Sequence, residues 1–483
     1  MIGVQPLELA KSIAARVREK GGAAYLAGGA VRDTLLGREI KDVDIEVYRM
    51  PSDQLRKLLG EFGPINEVGK AFSVFRIGNT IDVSLPRRER KAGFGHKGFE
   101  VTGDPFLPFN EACRRRDFTI NAMLQDLLTG EVIDPFGGRM DLRSGVIRAV
   151  DPETFVEDSL RVYRAAAFAA RLGFEIHPDT VLLASGIDLG DLARERVFEE
   201  FSKIMMEAPT PSVGLEALKQ MQVLRYHPEL DALRNTLQEA QWHPEGDVWV
   251  HTLMVVDEAA NAKNRWAELS DRQALMWGAL CHDFGKPLTT RLETEGPKQG
   301  RITSYQHEEA GETPIRQFLA RLTEEKKLCE RVVRLARYHL RPAELYRQGD
   351  REVTDRAIRR LVQRAEGDIF LLIDLARCDS LGRGVEARWD EFADWLIDRV
   401  QKLKLNESRR IVPLLRGRDL LHCMTPGPEM GKVLRIVFEA QIDGKVKTVE
   451  EAMGLAQGLL TGGCDDVIAG ETDGEKKHWT QGA

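Results

Sequence analysis

Strand-type patterning in this chain stops near residue 150, and helical periodicity takes over from there to about residue 460. Before that point, short apolar runs alternate with turns. "AAYLAGG" reads as a strand ending in a turn, and "AVRDTLLG" as a short helix closed by Gly37. "DVDIEVY" alternates acidic and apolar residues with period two, and "SDQLRKLLGEFG" has the spacing of a helix. "FSVFRIG" and "TIDVSLP" are strands with a Gly-Asn turn between them. The pattern predicts an α+β protein: a small mixed sheet with helices, then an all-α remainder. At 483 residues the chain is too long for one core. "PETFVEDSLRVYRAAAFAARLGF" is predicted as one helix ending at Gly173, and the polar, Gly-rich residues 466–483 as disordered.

Composition narrows the setting. Apolar residues make up 42% and charged residues 30%, as in ordinary globular proteins. No run approaches the roughly 20 apolar residues that span a bilayer, so no membrane partner is expected. The N-terminal segment is an amphipathic helix without the apolar core of a secretory signal. Six scattered cysteines with no Cys-x-x-Cys pair suit a reducing cytoplasm. The net charge of −7 does not by itself favour a nucleic-acid partner, but "RRERK" at 87–91 and "RRR" at 114–116 are basic islands.

Three stretches carry chemistry. Asp42 and Asp44 lie two apart on a strand, so both carboxylates share a face. They repel each other unless a cation neutralises them, and Mg²⁺ binds in this way through one or two carboxylates plus substrate phosphates. Gly28 and Gly29 let a triphosphate approach the backbone, and Arg32 follows one helical turn later. In "RRRDFTINAML", Arg115 and Arg116 suit phosphate, and Asp117 or Asn121 suits a ribose hydroxyl. The competing reading has Asp117 capping a helix and pairing with an arginine. In "EDSLR", Asp158 and Arg161 are expected side by side on a helix, where they offer acceptors and donors to a base edge. The competing reading is a plain ion pair.

The ordered motifs "GGAVRDTLLGR…KDVDIEV", "RRRDFTINAM", "DPFGGRMDL", "EDSLRVYRAAAFAARLGF" and "RERVFEEFSKIM" resemble class II tRNA nucleotidyltransferases, the CCA-adding family of the polymerase-β superfamily. The resemblance implies a catalytic head at 1–150, a helical neck and body at 151–235 and a tRNA-contacting tail at 391–465. It implies Mg²⁺-dependent attack of a tRNA 3′-hydroxyl on CTP or ATP. Asp42 and Asp44 then hold metal, with Asp82 as a possible third carboxylate. Gly28, Gly29, Arg32, Asp33, Arg115, Arg116, Asp117, Asn121 and Arg164 face the nucleotide, and Glu157, Asp158 and Arg161 form the base template. A long segment with Gly93, Gly95 and Gly98 argues against CC-only addition. Full CCA addition is the expectation, with A-only addition and poly(A) polymerase as alternatives.

A second set is His251, His282-Asp283, His307, His339 and Asp379. Burying His and Asp together is costly without a partner, and a divalent ion supplies one. Imidazole plus carboxylate suits Mn²⁺, Fe, Ni²⁺ or Co²⁺. The spacing resembles the HD phosphohydrolase superfamily across about 236–390, with His251, His282, Asp283 and Asp379 as its ligands. His307 and His339 match the extra histidines of binuclear members, and Lys286 the basic residue such families often carry. Two further alternatives are a phosphohydrolase whose head only docks RNA, and a noncatalytic RNA-binding protein. Gly427 and Gly431 are candidate RNA contacts in the tail.

Overall fold

The computed structural model describes residues 6–40, 42–68, 74–78, 80–91, 99–349, 353–384, 390–405 and 412–461. The expected disordered C-terminus and the three loop glycines at 93, 95 and 98 lie outside these residues. The chain forms two compact units: residues 1–235 with 317–324, and residues 236–316 with 325–483.

The first unit begins with α1 (Pro6–Glu19), which buries Ala10, Ile13, Ala14 and Val17 on one face. There follow β1 (Ala23–Ala27), α2 (Gly29–Leu35), β2 (Val43–Tyr48), α3 (Ser52–Leu59), β3 (Ile65–Val68), β4 (Val74–Ile77) and β5 (Ile81–Ser84). A two-stranded ribbon, β6 (Arg87–Lys91) with β7 (Phe99–Gly103), precedes α4 (Phe109–Arg114), β8 (Leu124–Asp126) and β9 (Val132–Ile133). The main sheet has seven strands in the order β3-β4-β5-β2-β1-β8-β9. Within it only β2 and β5 run parallel, and their register sets Asp44 beside Asp82. The alternation of β2 follows from this placement. Val43, Ile45 and Val47 are at most 1% exposed, while Asp42 and Asp44 face outward.

After α5 (Gly138–Ser144) the unit turns helical. The single helix expected over 152–173 is in fact two: α6 (Pro152–Phe155) and α7 (Arg161–Leu172). Asp158 lies in the break. Its carboxylate accepts from the Leu160 N–H and its carbonyl from the Arg161 N–H, so Asp158 and Arg161 are not helical neighbours. Gly173, at φ 72°, ends α7 in the left-handed conformation. The alanines of α7 let the helix Pro211–Gln220 pack closely. A Cβ on Gly214 would sit 2.9 Å from Ala170 Cβ and 3.0 Å from the Ala166 carbonyl.

Among the described residues, the regular structure of the second unit is helical apart from one short hairpin, Arg291–Leu292 with Ile302–Thr303. Its centre is built from the helices Val248–Ala262, Leu269–Cys281, Lys326–Tyr338 and Ile369–Leu381. The tail is a pair of helices, Pro428–Ile442 and Val449–Thr461, sharing a small core around Val433 and Val437. Gly427 immediately precedes the first of these helices and Gly431 lies within it, and neither has a structural neighbour that dictates glycine. Five free thiols and no disulfide occur among the described residues.

His227 gives the first unit a pH response. It is 3% exposed, and its Nε2 lies 2.9 Å from the Tyr163 hydroxyl among Phe201 and Phe318. Burial pushes its pKa down from 6.5 to about 4. The unfolded chain therefore takes up this proton at a higher pH than the folded one. The stabilising contribution is complete above pH 6.5 and is lost as pH falls toward 4. Thermal melts across that window should show His227→Gln losing less stability than wild type, by up to roughly 3 kcal/mol.

Candidate active sites

The first candidate site is a cavity of about 1140 Å³ within the first unit. It gathers Gly28, Gly29, Arg32, Asp42, Asp44, Asp82, Arg115, Arg116, Asp117, Asn121, Glu157, Asp158, Arg161 and Arg164. Asp33 is the exception among the residues expected to face the nucleotide. It does not line the cavity but pairs with Arg32 at 2.9 Å from behind.

The acidic wall is a row across the sheet. Asp44 lies beside Asp82 in the parallel pair, and Asp82 lies opposite Arg76, which grips it through two bonds of 2.7 and 2.6 Å. Asp82 is thus both next to the acidic pair and held by an arginine. Asp44 keeps an open edge yet is packed closely enough that burial, then Asp82 and Asp42, raise its pKa. Carboxylates held together against this cost fit a divalent cation.

The opposite wall is a hydrogen-bonded chain. Arg32 donates to Asn121 at 2.8 Å, Asn121 donates to Asp117 at 3.0 Å, and Arg164 grips Asp117 at 2.9 and 2.6 Å. Burial alone would raise the Asp117 pKa, but Arg164, Asn121 and the Phe118 N–H outweigh it and hold it low. Burial lowers the Arg32 pKa, with Asp33 opposing. Asp117 therefore pairs with an arginine, as in the competing reading, but in a loop before a single 3₁₀ turn rather than as a helix cap. Arg161, Arg164, Phe168 and Arg171 form one stripe of α7 along the cavity, and Arg32, Arg164 and Arg171 stack on the Phe168 ring at 5.1–5.9 Å. Arg161 does not pair with Asp158; it donates to the carbonyls of Thr154 and Arg115 at 2.7 and 2.6 Å.

Glu46, Phe168, Arg171 and Arg196 also line this cavity and were missed from sequence. Glu46 had a visible signal, since it continues the Asp42, Asp44 face. It is 2% exposed and takes bonds from Tyr48 at 2.5 Å and Arg116 at 3.0 Å. Arg116 in turn lies over Gly28, where a Cβ would come 2.7 Å from its Nη1.

The second candidate site is a buried cluster within the second unit. His251 Nε2 lies 3.0 Å from Asp379 and 3.4 Å from His282 Nε2. Asp283 lies 3.2 Å from His282 Nε2, 3.3 Å from His307 Nε2 and 3.9 Å from His339 Nε2. His251, His282 and Asp379 form one metal-compatible triad, and His282, Asp283 and His339 another. Neither oxygen of Asp283 makes a well-directed hydrogen bond, although Lys286 Nζ lies 2.7 Å from one. Burial opposes ionisation of Asp283, but His282 and Lys286 carry its pKa well below the usual range. Burial and His282 push His339 down to about 4, keeping that imidazole neutral. Imidazole nitrogens converging on ionised Asp283 and Asp379, with both Asp283 oxygens and His307 Nε2 unsatisfied, fit a divalent metal.

Comparisons with known proteins match the stretches of chain that carry both sites. The family described as "Poly A polymerase head domain" matches residues 24–148, and the HD domain family matches 248–383. Residues 173–234 match the family "Probable RNA and SrmB- binding site of polymerase A". A multifunctional CCA protein of Xanthomonas campestris is 36% identical over 452 residues, covering 90% of this chain and 99% of the relative. The chain belongs to the CCA-adding tRNA nucleotidyltransferase family. A second relative, the multifunctional CCA protein of Shewanella frigidimarina, is 39% identical over 62% of this chain and 69% of its own. Among solved structures, the Bacillus stearothermophilus CCA-adding enzyme in complex with CTP shares the fold with a TM-score of 0.62 at 22% identity, covering 95% of this chain and 99% of its own. The Thermotoga maritima CCA-adding enzyme complexed with tRNA has a TM-score of 0.54 at 20% identity over 95% and 96%. The α+β head with a helical remainder, expected from sequence, is thus the fold of this family.

Gly28 has φ 64° and ψ −129°, a conformation open essentially to glycine alone. Gly28→Ala is expected to strain the turn by about 1–3 kcal/mol and to push Arg116 aside. Calorimetric titration with CTP should show roughly 5- to 150-fold weaker binding, since 1.4 kcal/mol is tenfold, with the circular dichroism spectrum unchanged.

Proposed function

We propose that this enzyme completes the 3′ end of tRNA by adding CCA from CTP and ATP, in the cytoplasm. The observation that carries the reading is the acidic row Asp42, Asp44 and Asp82 facing an arginine-rich wall across one cavity. Paired acids aimed at a phosphate site are useless to a mere RNA-binding surface. The names of the relatives favour full CCA addition over A-only addition or a poly(A) polymerase.

In the reaction the terminal tRNA hydroxyl attacks the α-phosphorus of the nucleotide, a new P–O bond forms, and the bond to pyrophosphate breaks. Asp42 and Asp44, with Asp82 beside them, would hold Mg²⁺, which when bound activates the attacking oxygen and stabilises the leaving one. The Gly28–Gly29 turn admits the triphosphate to the backbone. Arg116, fixed by Glu46, offers it a preset charge. Glu157, Asp158 and Arg161 carry the base template. Arg161 spends two of its five N–H donors on carbonyls, which fixes the guanidinium plane and leaves the others for a base edge. The Asp117–Arg164 pair stiffens the floor between phosphate and base regions.

For the second unit we propose metal-dependent hydrolysis of a 2′,3′-cyclic phosphate or phosphomonoester. His251, His282, Asp283 and Asp379 would hold Mn²⁺, Ni²⁺, Co²⁺ or Fe, with His307 and His339 beside them. The support is the convergence of these side chains, each at most 6% exposed, on unsatisfied inward atoms.

Two assays test these readings. With tRNA lacking its 3′ end and one labelled nucleotide at a time, wild type should incorporate C and then A, and Asp42→Asn/Asp44→Asn should lose about 100- to 1,000-fold in rate. Extension at the parental rate would remove the head as the polymerising centre, and incorporation of A alone would replace CCA with A addition. For the second unit, His282→Ala should abolish cyclic-phosphate hydrolysis with Mn²⁺ or Ni²⁺ while nucleotide addition stays intact. Equal inactivity of wild type and variant would leave that unit a scaffold.

A further inference from the structure

Four histidines present Nε2 to the buried cluster, and three of them are held from behind in one way. His282 Nδ1 lies 2.8 Å from the Ala279 carbonyl, His307 Nδ1 2.8 Å from the Ser304 carbonyl, and His339 Nδ1 2.6 Å from the Ala336 carbonyl. In each case the carbonyl belongs to the residue three positions earlier. A carbonyl only accepts, so it places the ring proton on Nδ1 and leaves the Nε2 lone pair facing inward.

His251 is different. It lies inside the helix Val248–Ala262, and its Nδ1 is 2.7 Å from Glu245 Oε1, close but poorly aligned for a hydrogen bond. Glu245 precedes that helix in the turn "HPEGD". Its side chain is 3% exposed, and the same oxygen lies 2.8 Å from His243 Nδ1. The turn is tied to the cluster from its other side. The Gln238 amide donates to the Gly246 carbonyl and accepts from Lys286 Nζ at 2.7 Å, while Asp247 caps the helix through the Val250 N–H.

We infer that Glu245 is the positioning residue of the metal centre: its carboxylate does for His251 what a carbonyl does for His282, His307 and His339. This rests on the reading of the cluster as a metal site. A full negative charge behind an imidazole fixes the ring and strengthens its inward lone pair more than a carbonyl does. His251 then becomes the strongest donor of the four, on the side of the cluster nearest Asp379. His243 shares the same carboxylate oxygen through its Nδ1.

The test is Co²⁺ binding to the full chain, with excess Mg²⁺ present to occupy the head, read by visible absorption. Glu245→Gln is expected to weaken Co²⁺ about 10- to 100-fold while tRNA extension by the head stays at the wild-type rate. In Glu245→Ala, added acetate should restore part of the affinity, which a purely structural defect would not allow. Unchanged Co²⁺ affinity in Glu245→Gln overturns the inference. A loss in Glu245→Ala that acetate fails to restore overturns it equally. If wild type itself takes up no Co²⁺, the cluster is not a metal centre and the hydrolytic reading falls with it.

Discussion

Charge repulsion on a pleated strand is the constraint from which the first unit's site follows. Side chains two apart on β2 share a face, and the parallel register with β5 adds Asp82 beside Asp44. Three carboxylates so placed remain ionised together only with positive charge nearby. The fold supplies some of that charge with Arg76 on Asp82 and Arg116 on Glu46, and leaves Asp42 and Asp44 open to the cavity. The distinction between a neutralised acid and an open one is what separates scaffold from candidate metal ligand here.

The same economy governs the arginines. A cavity full of loose guanidinium groups would repel itself, so nearly every one is committed to a partner. Arg32 is fixed by Asp33 and Asn121, Arg164 by Asp117, and Phe168 offers its ring to three of them. Each commitment lowers the reorganisation required when a polyanion arrives, because the donors already point where the charge will lie. In the second unit, buried carboxylates and inward-facing imidazoles are likewise preset, and the backbone carbonyls of two helix ends and of Ser304 hold the rings.

What the sequence made legible was whatever depends on local period. The strand holding Asp44, with Asp42 immediately before it, the Gly28–Gly29 turn and the helices bearing His251 and Asp379 all appear at their expected places. The misreading of Asp158 with Arg161 has a local cause too. Asp158 bonds its own neighbouring backbone at Leu160, which competes with the helix ladder and breaks a run that looked continuous. Glu46 and Glu245 were missed for another reason. Period two put Glu46 on the acidic face, but its role comes from Arg116, 70 residues away. Glu245 takes its role from a turn folding back on a helix, of which periodicity carries no record.

Gly285 follows directly on the buried pair's helix end, where a Cβ would lie 1.9 Å from the His307 carbonyl and 2.6 Å from the Gly311 nitrogen. Two backbones are thus in direct touch on either side of the hairpin at 291–303. They act as a clasp that closes the loop at its base. The exposed tip of the hairpin lies beyond the clasp and away from the Ser304 carbonyl that holds His307. A tag or reporter inserted there leaves the base of the loop, and the histidine it steadies, in place.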